Sequence, residues 1–293
     1  MTYARAAMLT TRQKIALAQA VQSPLVVARK LAGRGVVTQV RRRGVAWSLD
    51  LREGIDFSIW LLGAFELSTV RAYERIIARG GVVLDIGANI GAHTLHLARA
   101  VGPDGKVWAI EPTEYALGKL KANIALNPGL AERIACRQVM LVDRDGIEVP
   151  PLHSSWPLTG GSDLHERHGG RLMATENARA LTLDSFVREC GIKRVDFVKL
   201  DIDGHECGML RGAQETLRIF HPTVLLELSP HQLEEHGGSI EQLVDLLAGV
   251  GYALQDIVSR APLPMSGYAL RALIPWGASL NVMAVAASTR RDR

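Results

Sequence analysis

Residues 81–112 read GVVLDIGANIGAHTLHLARAVGPDGKVWAIEP. A short apolar strand over 82–84 leads through a glycine-rich turn into a helical segment, then past Gly102-Pro103-Asp104-Gly105 into a second strand that ends at Glu111. That order is a βαβ unit with a binding site at its mouth. Gly87 and Gly91 permit a tight turn and a close ligand approach, and a helix opening near Gly91 offers unpaired N–H groups.

What the turn lacks narrows the ligand. Counting from Gly87, the second and third glycines of a dinucleotide fingerprint are replaced by Asn89 and Ala92, so the close seat for a pyrophosphate is missing. No Walker lysine follows either. Asp85, at the end of the first strand, repels a phosphate and suits a ligand with positive charge. S-adenosylmethionine, with a sulfonium and an ammonium group, is such a ligand. Glu111 can accept both hydrogen bonds of a ribose diol. The stretch predicts an S-adenosylmethionine site and no useful nicotinamide binding.

The chain has 293 residues, 47% of them hydrophobic, enough for one substantial α/β domain with appended elements. A lead-in over 1–80 and a cofactor-binding core over 81–293 are expected. The net charge of +4 shows local excess at Arg41-Arg42-Arg43 and in the tail Arg290-Arg291-Asp292-Arg293. Neither run is interleaved with aromatics, which make up only 5% of the chain, so no nucleic-acid partner is expected. Cys136, Cys190 and Cys207 have no C-x-x-C spacing, which argues against a zinc site or disulfide framework and fits a reducing cytoplasm. Residues 1–33 mix Arg and Lys through an alanine-rich helical pattern without an uninterrupted apolar core. A helix packed on its own domain, with no stable membrane insertion, is expected.

Taken in order, residues 36–63 alternate β-branched and aromatic residues with polar ones around Arg43-Gly44, a hairpin pattern, and 64–79 carries a helical stripe. Glu66 and Ser68, at the start of that helix, are within reach of the cofactor's amino-acid end or serve as caps. A helix is expected over 115–127 and a strand over 133–142. Asp143 follows it, placed either for the adenine amino group or in a surface turn. Residues 149–177, rich in Pro and Gly with His153, His165 and His168, suggest a binding loop whose histidines match no metal motif. A strand and an Asp184-capped helix fill 180–189. The strand 195–200 leads into the turn Asp201-Ile202-Asp203-Gly204-His205-Glu206, a helix over 208–220 and a strand over 223–228. A last helix over 240–250 and strands over 252–257 and 280–286 complete the pattern, with 262–276 a second irregular, cleft-facing stretch. Acidic residues thus recur at successive strand ends, and a parallel sheet gathers such ends on one edge, where a cationic ligand or metal would offset their repulsion.

Several motifs occur together: Trp47-Ser48-Leu49-Asp50, Gly63-Ala64-Phe65-Glu66, the turn 83–91, Leu181-Thr182-Leu183-Asp184, Lys199-Leu200-Asp201-Ile202-Asp203-Gly204-His205-Glu206, Arg211-Gly212-Ala213 and Leu225-Leu226-Glu227. With these the chain resembles the FkbM-type S-adenosylmethionine-dependent methyltransferases. The resemblance implies an α/β class I (Rossmann-like) sheet of seven strands, the last antiparallel, and O-methylation of a hydroxyl on a natural product, sugar or glycan. Family patterns commonly carry Glu at Asp203 and a small or varied residue at His205.

The expected cofactor residues are Asp85, Gly87, Asn89, Gly91, Glu111, Asp143 and Asp201. His205 is expected as general base, its ordinary pKa near ~6.5 suiting proton removal at neutral pH, with Asp201 orienting it or the cofactor. No metal requirement is expected. The alternatives are Mg²⁺ held by Asp201, Asp203 and Glu227 to lower a substrate hydroxyl's pKa, and a non-catalytic S-adenosylmethionine-binding protein.

Overall fold

A computed structural model describes residues 9–154, 156–158 and 170–287. His165, His168 and the basic tail 290–293 lie outside the described residues. Thr10 opens α1 (Thr11–Leu31) with a capping box: its hydroxyl accepts from the Gln13 N–H, and the Gln13 side chain accepts from the Thr10 N–H. β1 (Val37–Arg42) and β2 (Val45–Asp50) pair antiparallel about Arg43-Gly44, the expected hairpin. The strand pattern read on to residue 63 stops at Asp50. α2 (Gly54–Leu62) follows, since a short apolar run buried on several sides cannot be told from a strand by periodicity alone. α3 (Leu67–Glu74) is shorter than read, starting after Glu66, whose backbone is left-handed.

The central unit is β3 (Val82–Ile86), α4 (Thr94–Val101), β4 (Lys106–Ile110), α5 (Glu114–Ala125), α6 (Pro128–Ala131) and β5 (Ile134–Arg137). The single strand expected over 133–142 is broken at Gln138. β5 closes the edge of the main sheet, whereas β6 (Val139–Leu141) turns away to pair with a later strand. The irregular stretch holds β7 (Leu152–Ser154) and β8 (Arg171–Met173), an antiparallel pair, before β9 (Arg179–Leu181), the partner of β6.

α7 (Leu183–Glu189) is capped by Thr182, not by Asp184 as expected. β10 (Phe197–Leu200) follows, and the helix read over 208–220 is two helices, α8 (Glu206–Arg211) and α9 (Gln214–Phe220). Asp184 caps the second of these, accepting from the Glu215 and Thr216 N–H groups. The chain closes with β11 (Thr223–Leu228), α10 (Pro230–Glu235), α11 (Ile240–Ala248), β12 (Tyr252–Asp256), α12 (Gly267–Arg271) and β13 (Leu280–Ala286). Residues 262–276 do not face the cleft: Leu263, Leu270 and Ile274 are buried in the core, and α12 packs on α11.

Seven strands form one sheet in the order β12-β13-β11-β10-β3-β4-β5. Only β13 runs antiparallel to its neighbours, as the class I pattern requires. Leu84, Val198 and Leu226 face α7, α8 and α11 on one side, while Val83, Phe197 and Leu225 face α3 and α4 on the other. The strand order reverses between β3 and β10, and an open α/β sheet splits its loops there to leave a crevice.

The hairpin is attached to this core through side chains. Asn127 Oδ1 accepts from the Ala46 N–H and its Nδ2 donates to the Ala46 carbonyl, while Asn123 Oδ1 accepts from the Ser48 N–H. The free edge of β2 is thereby satisfied by two buried amides, Asn123 on α5 and Asn127 at the start of α6. Asn127→Ala should cost about 1–3 kcal/mol of unfolding free energy, because it strips both polar groups of Ala46 of their partner. Denaturant unfolding checks this, and an unchanged midpoint would refute the attachment.

Candidate active site

A cavity of about 300 Å³ opens at the C-terminal ends of β3, β4 and β10. Of the residues expected to bind cofactor or act on substrate, Gly87, Asn89, Glu111, Asp201 and His205 line it. Asp85, Gly91 and Asp143 do not.

Each exception has a physical reason. β3 runs on to Ile86, so Asp85 lies within the strand, fully buried, with Thr94 Oγ1 donating to its Oδ2 at 2.6 Å. Gly91 has φ +91°, and a Cβ there would meet Leu120 Cδ1 at 2.8 Å. Its lack of a side chain therefore serves packing against α5. The first helical residue is Thr94, so Gly91 is also not at the helix N-terminus. Asp143 follows β6, which has left the main sheet, and is exposed. Gly87 does line the cavity, but its φ of +79° and the 1.8 Å that would separate its Cβ from the Asp201 carbonyl oxygen show what excludes a side chain. The end of β3 lies against the first residue of the turn after β10 there.

Glu111 is buried at the end of β4, where its Oε2 accepts from the Asn89 N–H and its Oε1 from the Thr113 N–H and hydroxyl. Burial pushes its carboxyl up, and the Thr113 and Asn89 donors oppose that. Three donors leave about one of a carboxylate's four acceptor positions for a ligand hydroxyl.

The charge balance of the site rests on Lys199, to which the sequence reading gave no role. Lys199 sits beside Asp85 in the β3–β10 register, is 3% exposed, and donates to Asp201 Oδ2 at 2.9 Å. Burial alone would lower its pKa, yet the Asp201 and Asp85 carboxylates hold it above the usual lysine value. Part of the offset that the acidic strand ends demand is therefore built into the chain. The available signal was the lysine itself in the otherwise apolar run Phe197–Leu200.

The turn after β10 supplies three more titratable groups. Asp203, at φ +52°, lines the cavity and accepts from Gln232 Nε2 at 2.9 Å. Burial, then the neighbouring Asp201 and Glu206, push its carboxyl up to about 8. Glu206 is buried behind it, accepts from the Ile202 and Gly204 N–H groups, and is pushed up to about 7 by burial. His205 packs on His236 with ring centroids 3.9 Å apart, and burial, then His236, pulls it down to about 4. The premise of an ordinary histidine pKa does not hold at this position.

Sequence reasoning also missed His93, which lines the same cavity. Its Nδ1 lies 3.4 Å from the Tyr73 hydroxyl, its Nε2 has no hydrogen-bond partner among the described residues, and burial keeps the ring neutral. Phe65, not Glu66 or Ser68, reaches the cavity from the start of α3. Glu66 accepts from Asn281 instead, and Ser68 is exposed. The described part of the irregular loop forms another wall through Pro150, Pro151, His153 and Trp156, and Trp156 is anchored by the Gly54 N–H donating to its carbonyl.

The model of the FkbM methyltransferase domain matches residues 85–254. This chain belongs to the FkbM methyltransferase family. It is thus an S-adenosylmethionine-dependent methyltransferase, and its acidic cavity, with acceptor capacity left at Glu111, fits a cofactor bearing cations and a ribose. The 2-O-methyltransferase NoeI of Sinorhizobium fredii is 25% identical over 177 residues, covering 57% of this chain and 70% of that protein. Methyltransferase sdnD of Sordaria araneosa is 28% identical over 162 residues, 45% of this chain and 60% of that one. The AMB antimetabolite synthetase AmbE of Pseudomonas aeruginosa is 23% identical over 244 residues, but this chain covers only 11% of it. Among solved structures, a methyltransferase FkbM from Methylobacillus flagellatus is 18% identical with TM-score 0.48, over 75% of this chain and 48% of that one.

Lys199→Met should lower unfolding free energy by about 3–5 kcal/mol, because it leaves the buried Asp85 carboxylate without its cation. Adding Asp85→Asn should recover part of that loss. Denaturant unfolding of the single and double variants checks both, and equal stability of Lys199→Met and wild type would refute the role given to Lys199.

Proposed function

We propose that the chain transfers a methyl group to a hydroxyl oxygen of a small-molecule acceptor, a natural product, sugar or glycan. The observation that carries this reading is the joining, in one cavity, of a ribose-suited end at Glu111 to a proton-accepting turn at 201–205. The name of NoeI, a 2-O-methyltransferase, supports oxygen as the nucleophile. S-adenosylmethionine, when bound, supplies an activated methyl on a cationic sulfur. The residues have two remaining tasks, to hold the acceptor oxygen in line and to take its proton.

For the proton, Asp203 is the better matched group. A carboxyl pushed up to about 8 is a far stronger base than an imidazole pulled down to about 4, and proton transfer is most efficient when the pKa lies near the working pH. In the step, the acceptor O–H bond breaks toward Asp203 as the new C–O bond forms and the methyl–sulfur bond breaks, leaving a neutral thioether. His205, neutral through the physiological range and packed against His236, orients the acceptor beside it. Asp201, bound to Lys199, shapes the cofactor end. The cation that Asp201 holds is an ammonium, and we expect methyl transfer to survive exhaustive chelation. Activity lost to EDTA and restored by Mg²⁺ would favour a metal-assisted reaction.

Three measurements test the reading. Calorimetry should give tight S-adenosylhomocysteine binding and no useful NADH binding, and Glu111→Ala should weaken the former by about 1–3 kcal/mol in a folded protein. Across a panel of hydroxylated acceptors, a methylated oxygen is the expected product; methylation only of nitrogen or carbon acceptors would refute it. Because the competent form of Asp203 is deprotonated, kcat/KM should rise with pH and level off above about 8. A profile flat from neutrality upward would instead point to His205. Asp203→Asn should cost roughly 10²–10⁴-fold in kcat with cofactor affinity retained.

A further inference from the structure

The first 49 residues contain nine Lys or Arg and no Asp or Glu, while the whole chain is only +4, so everything after them is net acidic. The fold turns this polarity in sequence into a surface. The Arg29 guanidinium, near the end of α1, lies 5.9 Å from the Trp60 ring, and that of Arg42, on β1, lies 6.0 Å from the same ring while its Nε donates to the Trp60 carbonyl at 2.8 Å. Three elements separated in sequence thus meet at one tryptophan on α2. The next two residues, Leu61 and Leu62, are exposed, as are Lys30, Leu31, Arg34 and Arg41 around them.

α1 continues this face. Its inner stripe, Ile15, Ala18 and Val26, packs on the hairpin and α2. On the opposite side Leu17, Val21 and Leu31 form a second apolar stripe at helical spacing, with Leu31 86% exposed. A surface helix needs one apolar stripe to pack on its own domain, and the second stripe has no such use. Exposed aliphatic side chains set among the exposed Lys30, Arg34 and Arg41, with Glu74 paired to Arg43 at the hairpin turn, match an anionic lipid interface. There the leucines enter the acyl boundary, Trp60 lies at headgroup depth, and the guanidinium and ammonium groups meet phosphate. A nucleic-acid surface would use the cations but gain little from the leucines.

We propose that the face made by the C-terminal half of α1, the β1–β2 hairpin and the end of α2 docks this enzyme peripherally on anionic membranes. No helix among the described residues is long and apolar enough to cross a membrane, so binding is interfacial and reversible. It is independent of the reaction proposed above. The substituted side chains lie outside the cavity, so their loss should leave S-adenosylhomocysteine binding unchanged.

The test is co-sedimentation of the full chain with vesicles of phosphatidylcholine alone or mixed with phosphatidylglycerol. Binding is expected only to the mixed vesicles and should fall with added salt. It should drop about fivefold for each cation removed, and so by well over tenfold in Lys30→Glu/Arg34→Glu/Arg41→Glu. Leu61→Ser/Leu62→Ser keeps the charge and should weaken binding by roughly tenfold or more through lost burial of aliphatic groups. Both substitutions fall on exposed side chains, and the salt and lipid dependences are read on the unaltered protein whatever the variants do. The proposal is overturned by no sedimentation with either vesicle or by equal binding to both. It is also overturned by a leucine variant that binds like wild type, or by duplex DNA that competes the protein off the vesicles.

Discussion

The pairing of the Lys199 ammonium with Asp201, next to Asp85 in the strand register, is the interaction on which this site depends. It lies at the reversal of strand order, where β3 and β10 run side by side and their ends open into the cavity. Asp85 is fully buried, and its Oδ1 has no hydrogen-bond partner among the described residues. A carboxylate so placed is tolerable only beside a cation. Lys199 also binds Asp201, which stands at the cavity wall. One side chain thereby couples the interior of the central strand to the surface that meets the ligand.

This arrangement changes the meaning of the acidic edge. Asp201, Asp203, Glu206 and Glu227 gather at the ends of β10 and β11, and burial with mutual repulsion pushes Asp203, Glu206 and Glu227 upward. Lys199 answers only the member nearest to it. Asp203, pushed up to about 8, keeps its proton below that pH, and a raised carboxyl in a cavity is a base available once it ionises. A positively charged ligand entering that cavity meets negative potential without requiring every acidic group to be ionised beforehand.

Much of the framework was legible in residue patterns because those patterns act over short range. The glycine-rich turn after β3 and the strand that leads into Asp201 follow from apolar periodicity and turn residues, while the antiparallel direction of the last strand was implied by the family resemblance. The hairpin about Arg43-Gly44 also follows from periodicity and turn residues. Where local signals were equivocal, packing decided. The apolar run 54–62 became a helix because it is buried on several sides, the 133–142 strand broke at Gln138 to serve two sheets, and Asp184 capped a neighbouring helix.

The sequence by itself determined the βαβ unit about the glycine-rich turn, the family motifs, and the places of Glu111 and Asp201 at strand ends. Each of these depends on neighbours a few residues apart. Only the tertiary structure decided which of those residues reach the cavity. Asp85 and Gly91 lie in the central motif but face packed interior, Asp143 was carried off with β6, and Lys199, His93 and Asp203 were brought in. It also set the ionisation of the two rival bases, lowering His205 and raising Asp203, because burial and the charges beside a group depend on elements far away in the chain.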